Sequence, residues 1–141
     1  MKALLSKAPG GPETLVLETV ESASAGKGQV VIDVKAIGVN FPDTLIIKDM
    51  YQFKPERPFS PGGEVSGVVK EVGEGVTNLQ VGQRVIGSCG WGGMREELVL
   101  EAGLLQRAGA LAIIRRCLGG VDDDEQAQGH VEPQQQAASA E

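Results

Sequence analysis

Glycine spacing constrains this chain more than any other feature. Most of its 20 glycines lie before or at Gly103, and between them run short stretches rich in Val, Ile and Leu. Segments of that length, closed by Gly, Pro, Asn and Ser, are read as short strands joined by turns rather than as long helices. The strongest strand signal is VVIDVKAIGVN, where Val31, Asp33 and Lys35 alternate with Ile32, Val34 and Ala36. MKALLSKA and TLVLETVE read as two more strands, the second half-buried through Leu15, Leu17 and Val20, with PGGPE as turn chemistry between them. EVSGVVKEVGEGV reads as a strand pair or one bent strand with glycines at its corners. RVIG and the stretch from Arg95 to Leu100 read as the last strands.

The period changes once inside this region. In FPDTLIIKDMY, Pro42 suits the first turn of a helix, where its missing N–H costs nothing, and Leu45, Ile46 and Met50 are expected to cover one face. QFKPERPFSPGG carries three prolines and reads as an irregular loop. After Leu100 the character shifts. Leu104, Leu111, Ile114 and Leu118 fall near helical spacing, with Gly119 as a stop, and residues 107–120 are taken as an apolar helix. Residues 121–141 are acidic and almost devoid of apolar side chains, and are expected to be a disordered tail because ordering them would bury too little.

Charge and cysteine usage exclude several classes. The net charge is −6, but residues 119–141 hold six acids and no Lys or Arg, so the body is neutral and lacks the basic stripe that nucleic acid requires. The two cysteines, Cys89 and Cys117, have neither CxxC spacing nor a nearby histidine, which excludes a zinc finger and points to reduced thiols in the cytoplasm. No stretch approaches a membrane span or a signal peptide. The only histidine, His130, lies among acids without a partner and is given no role. GSCGWGG is followed by Met94 and Arg95 rather than by the Lys-Ser/Thr of a phosphate loop, and reads as a glycine turn.

Several stretches, in order, resemble one family. APGGPETLVLE, VKAIGVNFPDTLIIKDMY, PFSPGGEVSGVVKEVGEGVTNLQVGQRV and WGGMREELVL are similar to the N-terminal half of the medium-chain dehydrogenase/reductases. The branch they resemble most is the zinc-independent quinone oxidoreductases, also called zeta-crystallin-like. The resemblance covers residues 1–106 and implies a mainly β, GroES-like, partly open barrel of short antiparallel strands with small helices. In the zinc-dependent branch a cysteine stands near the position of Asn40 and a histidine at that of Gly63. Neither is present, so no metal is expected, and Cys89 alone cannot supply a four-ligand structural zinc site.

The resemblance implies hydride transfer from NADPH to a small-molecule quinone or enone. It places Asn40 by the nicotinamide or ribose, Phe41 and Tyr51 along the substrate, and Tyr51 and Asp43 in catalysis, Asp43 by shaping the cleft and Tyr51 as a donor to the acceptor oxygen. Plainer readings stand beside these. Asn40 serves equally as a turn residue, Asp43 as a helix cap or first-turn charge, Tyr51 as a cover for the helix, Glu64 as a structural acceptor and Trp91 as a loop anchor. No dinucleotide fingerprint follows Leu100, so no Rossmann domain is expected. The chain then reads as a truncated family member, holding NADPH weakly and inactive alone, with a bare apolar face open to self-association. The alternative is a non-catalytic barrel or an interaction module.

Overall fold

The computed structural model describes residues 1–108, and the expected helix beyond Ala108 and the acidic tail lie outside that range. The elements are β1 (Lys2–Leu5), a 3-10 turn (Pro12–Thr14), β2 (Val16–Thr19), β3 (Gln29–Gly38) and α1 (Phe41–Ile46). They are followed by β4 (Glu64–Val72), β5 (Arg84–Ser88), β6 (Glu97–Glu101), a 3-10 turn (Ala102–Leu104) and β7 (Leu105–Arg107). Five strands form one antiparallel sheet in the order β6-β3-β4-β5-β7, and β1 pairs with β2. The β1–β2 hairpin continues the larger sheet: Leu4 N–H donates to the Met94 carbonyl at 2.8 Å, and Glu96 N–H to the Lys2 carbonyl at 3.0 Å. Among the described residues the result is a mainly β fold with β2 and β7 at its edges rather than a closed barrel.

The core is aliphatic. Val30, Ile32, Val65, Val69, Val85, Leu98, Leu100 and Leu105 form one cluster. Each fully buried Val or Ile is worth about 1.5–3 kcal/mol. On β3, Val30, Ile32 and Val34 belong to this cluster, as alternation requires, yet Val31 is fully buried too. Register shifts between Val31 and Ile32 and between Val34 and Ala36 mark two bulges that break the strict period. The segment read as a strand pair is one strand, β4, and its Gly67 is not a corner. Gly67 lies opposite the second bulge, where a Cβ would stand 2.3 Å from the Asp33 carbonyl oxygen.

A smaller cluster of Ile46, Ile47 and Phe59 anchors α1 and the proline-rich loop. Met50, expected on the buried face of α1, is 69% exposed, and Ile47 takes its place because the helix ends at Ile46 and the chain turns in. The loop is pinned rather than loose. Arg57 pairs with Asp49 at 2.8 Å, donates to the Ile47 carbonyl at 3.0 Å and lies over the Phe59 ring.

One further expectation fails. Leu17, read as half-buried, is 65% exposed, because β2 is an edge strand with no layer over it among the described residues. The residues after Leu104 form a short strand. Leu105, Gln106 and Arg107 pair with Gly87, Ile86 and Val85, and Leu105 is buried in the main core. No helix among the described residues is long and apolar enough to cross a membrane.

Candidate functional site

The turn from β3 into α1 is built around Asp43. Pro42 fixes the first helical turn, and Asn40, in extended conformation, caps it. The Asp43 carboxylate then reaches back. Oδ2 accepts the Asn40 N–H at 2.8 Å, and Oδ1 accepts the Gly62 N–H at 2.9 Å. Asp43 is 6% exposed, so both oxygens are spent on backbone donors inside the protein. One side chain thereby ties the helix start to the end of the proline-rich loop. Both oxygens thus accept local backbone N–H groups at the wall of the cleft.

Asn40 is fixed at its other end as well. Its Nδ2 donates to Glu64 Oε2 at 3.2 Å, across the β3–β4 pairing that places Gly38 opposite Glu64. Asn40, Asp43, Tyr51, Phe53, Glu64 and Ser88 then line one cavity of about 180 Å³, floored by Gly63 and Gly90. This brings together Asn40, Asp43 and Tyr51 from the sequence-derived set. It does not bring Phe41, whose ring is 74% exposed and outside the cavity wall.

Phe53, Ser88 and Gly90 belong to the cavity but carry no signal in the sequence. Ser88 arrives through the pairing of Glu64 with Ser88 on β5, and Phe53 through its edge-on contact with Tyr51 at 5.8 Å. Trp91 is 40% exposed and tilts against Phe53 at 6.4 Å, so Tyr51, Phe53 and Trp91 form an aromatic row that leads away from the cavity.

Gly63 matters for what the cavity can hold. A Cβ there would lie 3.0 Å from the Gly90 carbonyl oxygen, so any side chain at this position presses on the opposite turn. No group of three His, Cys, Asp or Glu side chains with metal-site geometry occurs among the described residues. Cys89 adjoins the cavity floor, with its thiol donating to the Gly62 and Gly63 carbonyls at 3.4 Å, and burial pushes its pKa up to about 11. It is a neutral thiol and not a nucleophile. The space suits one ring-sized group, smaller than the 300 Å³ or so of a common ligand pocket, and so the reacting end of a dinucleotide rather than the whole of one.

The alcohol dehydrogenase GroES-like domain family matches residues 26–113. A quinone oxidoreductase-like protein 2 homolog from Nematostella vectensis is 47% identical over 91 residues, which is 64% of this chain and 25% of that protein. Among solved structures, a probable oxidoreductase from Mycobacterium abscessus superposes with a TM-score of 0.71 at 42% identity, covering 76% of this chain and 34% of the other. The Escherichia coli quinone oxidoreductase, solved in complex with NADPH, gives a TM-score of 0.74 at 28% identity, covering 79% and 34%. The chain thus spans about a quarter of the length of the curated relative and about a third of the structures.

Proposed function

The chain belongs to the alcohol dehydrogenase GroES-like domain family, in its zinc-independent quinone oxidoreductase branch, and from that premise we propose that the Asn40–Tyr51 cavity is the substrate-side wall of a hydride-transfer site. The acceptor is a small quinone or enone. NADPH, when bound, supplies the hydride. Asn40 meets its nicotinamide end, held in place by Asp43 and Glu64. Tyr51 donates its phenol proton to the acceptor oxygen, where negative charge develops. Phe53 gives the acceptor ring an apolar wall. The observation that carries the reading is the doubly fixed Asn40, with its backbone N–H on Asp43 and its side-chain amide on Glu64, beside Tyr51 in one cavity. Groups held at both ends lose little freedom when a ligand arrives.

A cytoplasmic location is part of the same reading. The test is quinone binding read by fluorescence of Trp91, the single tryptophan. Removing one hydrogen-bond donor in Tyr51→Phe is expected to weaken 1,4-naphthoquinone binding by about three- to tenfold. Unchanged affinity in both Tyr51→Phe and Asn40→Ala overturns the assignment.

A second reading, a binding module without turnover, has one observation in its favour. Leu17 and Val39 are 65% and 71% exposed and border an apolar groove shared with Leu4, Val34 and Met94. Self-association through this face predicts a sedimentation coefficient that rises with concentration and stops rising in Leu17→Glu.

A further inference from the structure

Two segments wall the small cavity and run on to wall a larger one. The loop after α1 gives Tyr51 and Phe53 to the small cavity, and Pro55, Pro58 and Phe59 to a second cavity of about 520 Å³. The turn after β5 divides in the same way, with Ser88 and Gly90 in the first and Cys89, Trp91 and Gly92 in the second. The two cavities therefore share both walls and meet at one seam. At that seam the rings of Phe53 and Trp91 come together, with centroids 6.4 Å apart and planes inclined by 42°.

The seam is apolar and faces outward. Phe53 and Trp91 are both exposed, whereas Phe59 on the same loop is buried against Ile46 and Ile47. Two large rings side by side at the surface form a strip that the apolar part of a ligand can cover. The backbone under the strip is already fixed. Cys89 N–H donates to the Gly63 carbonyl at 2.7 Å, and Gly92 N–H to the Ser60 carbonyl at 2.6 Å. Arg57 holds the loop through Asp49 and the Ile47 carbonyl. Walls held this way lose little freedom when a ligand arrives. The small cavity, at about 180 Å³, is filled by one ring. A substituent on that ring must leave the cavity, and the Phe53–Trp91 strip offers it an apolar path.

We propose that the hydride acceptor is a ring bearing an apolar arm, with the ring in the small cavity and the arm laid over Phe53 and Trp91 into the second one. The inference rests on the quinone reading of the small cavity and adds the other half of the substrate. Trp91 is then a specificity-determining residue that touches the arm and not the ring, since it lines the second cavity and not the first. The second cavity is also lined by one acid, Glu56, and one base, Arg95, so its charges favour an arm that carries none.

The experiment titrates the ¹⁵N-labelled chain with duroquinone and, separately, with its analogue in which one methyl is replaced by hexyl. Neither quinone has an open ring position to which a thiol could add. NMR signals of the Asn40 side-chain amide and Ser88 report the ring, and those of Gly92 and Val99 report the arm. Both quinones are expected to move the first pair and only the hexyl compound the second. The hexyl compound should bind about tenfold tighter, as burying roughly two methylene groups provides. In Trp91→Ala that advantage is lost while duroquinone binds as before, and Trp91→Phe keeps most of it. Trp91 is exposed, so these changes spare the core. If duroquinone moves Asn40 and Ser88 but the arm adds no affinity, or adds as much in Trp91→Ala, the inference is overturned and the quinone reading stands. Arm-dependent shifts at Leu17 and Val39 in place of Gly92 and Val99 overturn it as well. Duroquinone that leaves Asn40 and Ser88 unmoved overturns the quinone reading, and this inference with it.

Discussion

Asp43 and Arg95 are both charges held away from water, and they are treated oppositely by the fold. Asp43 is 6% exposed and accepts one backbone N–H at each oxygen, from Asn40 and from Gly62. Arg95 is half-buried and leaves its Nε without a partner. The first charge is used up in joining α1 to the Gly62–Gly63 turn. The second leaves one buried N–H unpaired among the described residues. A buried ionisable group is thus a poor guide to chemistry until its hydrogen bonds are counted.

The contrast breaks most visibly at Asp43. Asp43→Ala leaves two backbone donors unsatisfied in the interior, and should lower stability in urea unfolding by about 2–5 kcal/mol. Asp43→Asn should lose about half of that, since its amide offers one acceptor for two donors. A loss well under about 1 kcal/mol in Asp43→Ala would mean that the carboxylate is not the brace described.

Cys89 sharpens the other side of the comparison. A thiol pushed up to about 11 is protonated at pH 8, so Arg95 finds no thiolate beside it. In a Cys117→Ser background, disulfide exchange at Cys89 should run about a hundredfold slower at pH 8 than for an ordinary thiol and rise steeply only above pH 10. Fast reaction at pH 7 would mean that the thiol is not the buried, neutral group described.

Arg95→Met should be close to neutral or stabilise the fold by up to about 1 kcal/mol, because an unpartnered cation is exchanged for an apolar chain of similar length. The smallest effect is expected at a pair with one partner still exposed. Lys70, partly exposed, donates to the buried Glu97 at 2.5 Å, and that bond holds the Glu97 carboxyl below its ordinary value. A depressed carboxyl contributes stability above its unfolded-state pKa and loses it as pH falls through the folded value. The melting temperature should therefore decline slightly on acidification below about pH 4.5, and Lys70→Met should flatten that decline.

Local chemistry made much of the fold legible. β-branched runs between glycines marked β3 and β4, and Pro42 marked the start of α1. What stayed hidden depends on pairing across the chain. Leu105–Arg107 carries no strand signal of its own, and becomes a strand through its pairing with β5. Leu17 has strand patterning, but nothing in its neighbours says that β2 is an edge.

The site divides the same way. Asn40, Asp43 and Tyr51 were legible because one short segment carries all three, and Glu64 because its strand follows the paired glycines. Phe53 and Ser88 were not, since they enter through a loop contact and a strand register. Phe41 stands outside this cavity because helix phase, rather than adjacency to Asn40, decides which way its ring faces. The unpartnered nitrogen of Arg95 leaves no trace in sequence at all.

The most direct test of the central claim is a chemical-shift map of the ¹⁵N-labelled chain titrated with 1,4-naphthoquinone. The account predicts shifts concentrated at the Asn40 side-chain amide, Phe53, Gly63, Glu64 and Ser88, with Val30–Ile32 unmoved. Shifts confined to Leu17, Val39 and the groove beside β1 would contradict it, and would make the exposed apolar face, rather than the Asn40–Tyr51 cavity, the working surface of this chain.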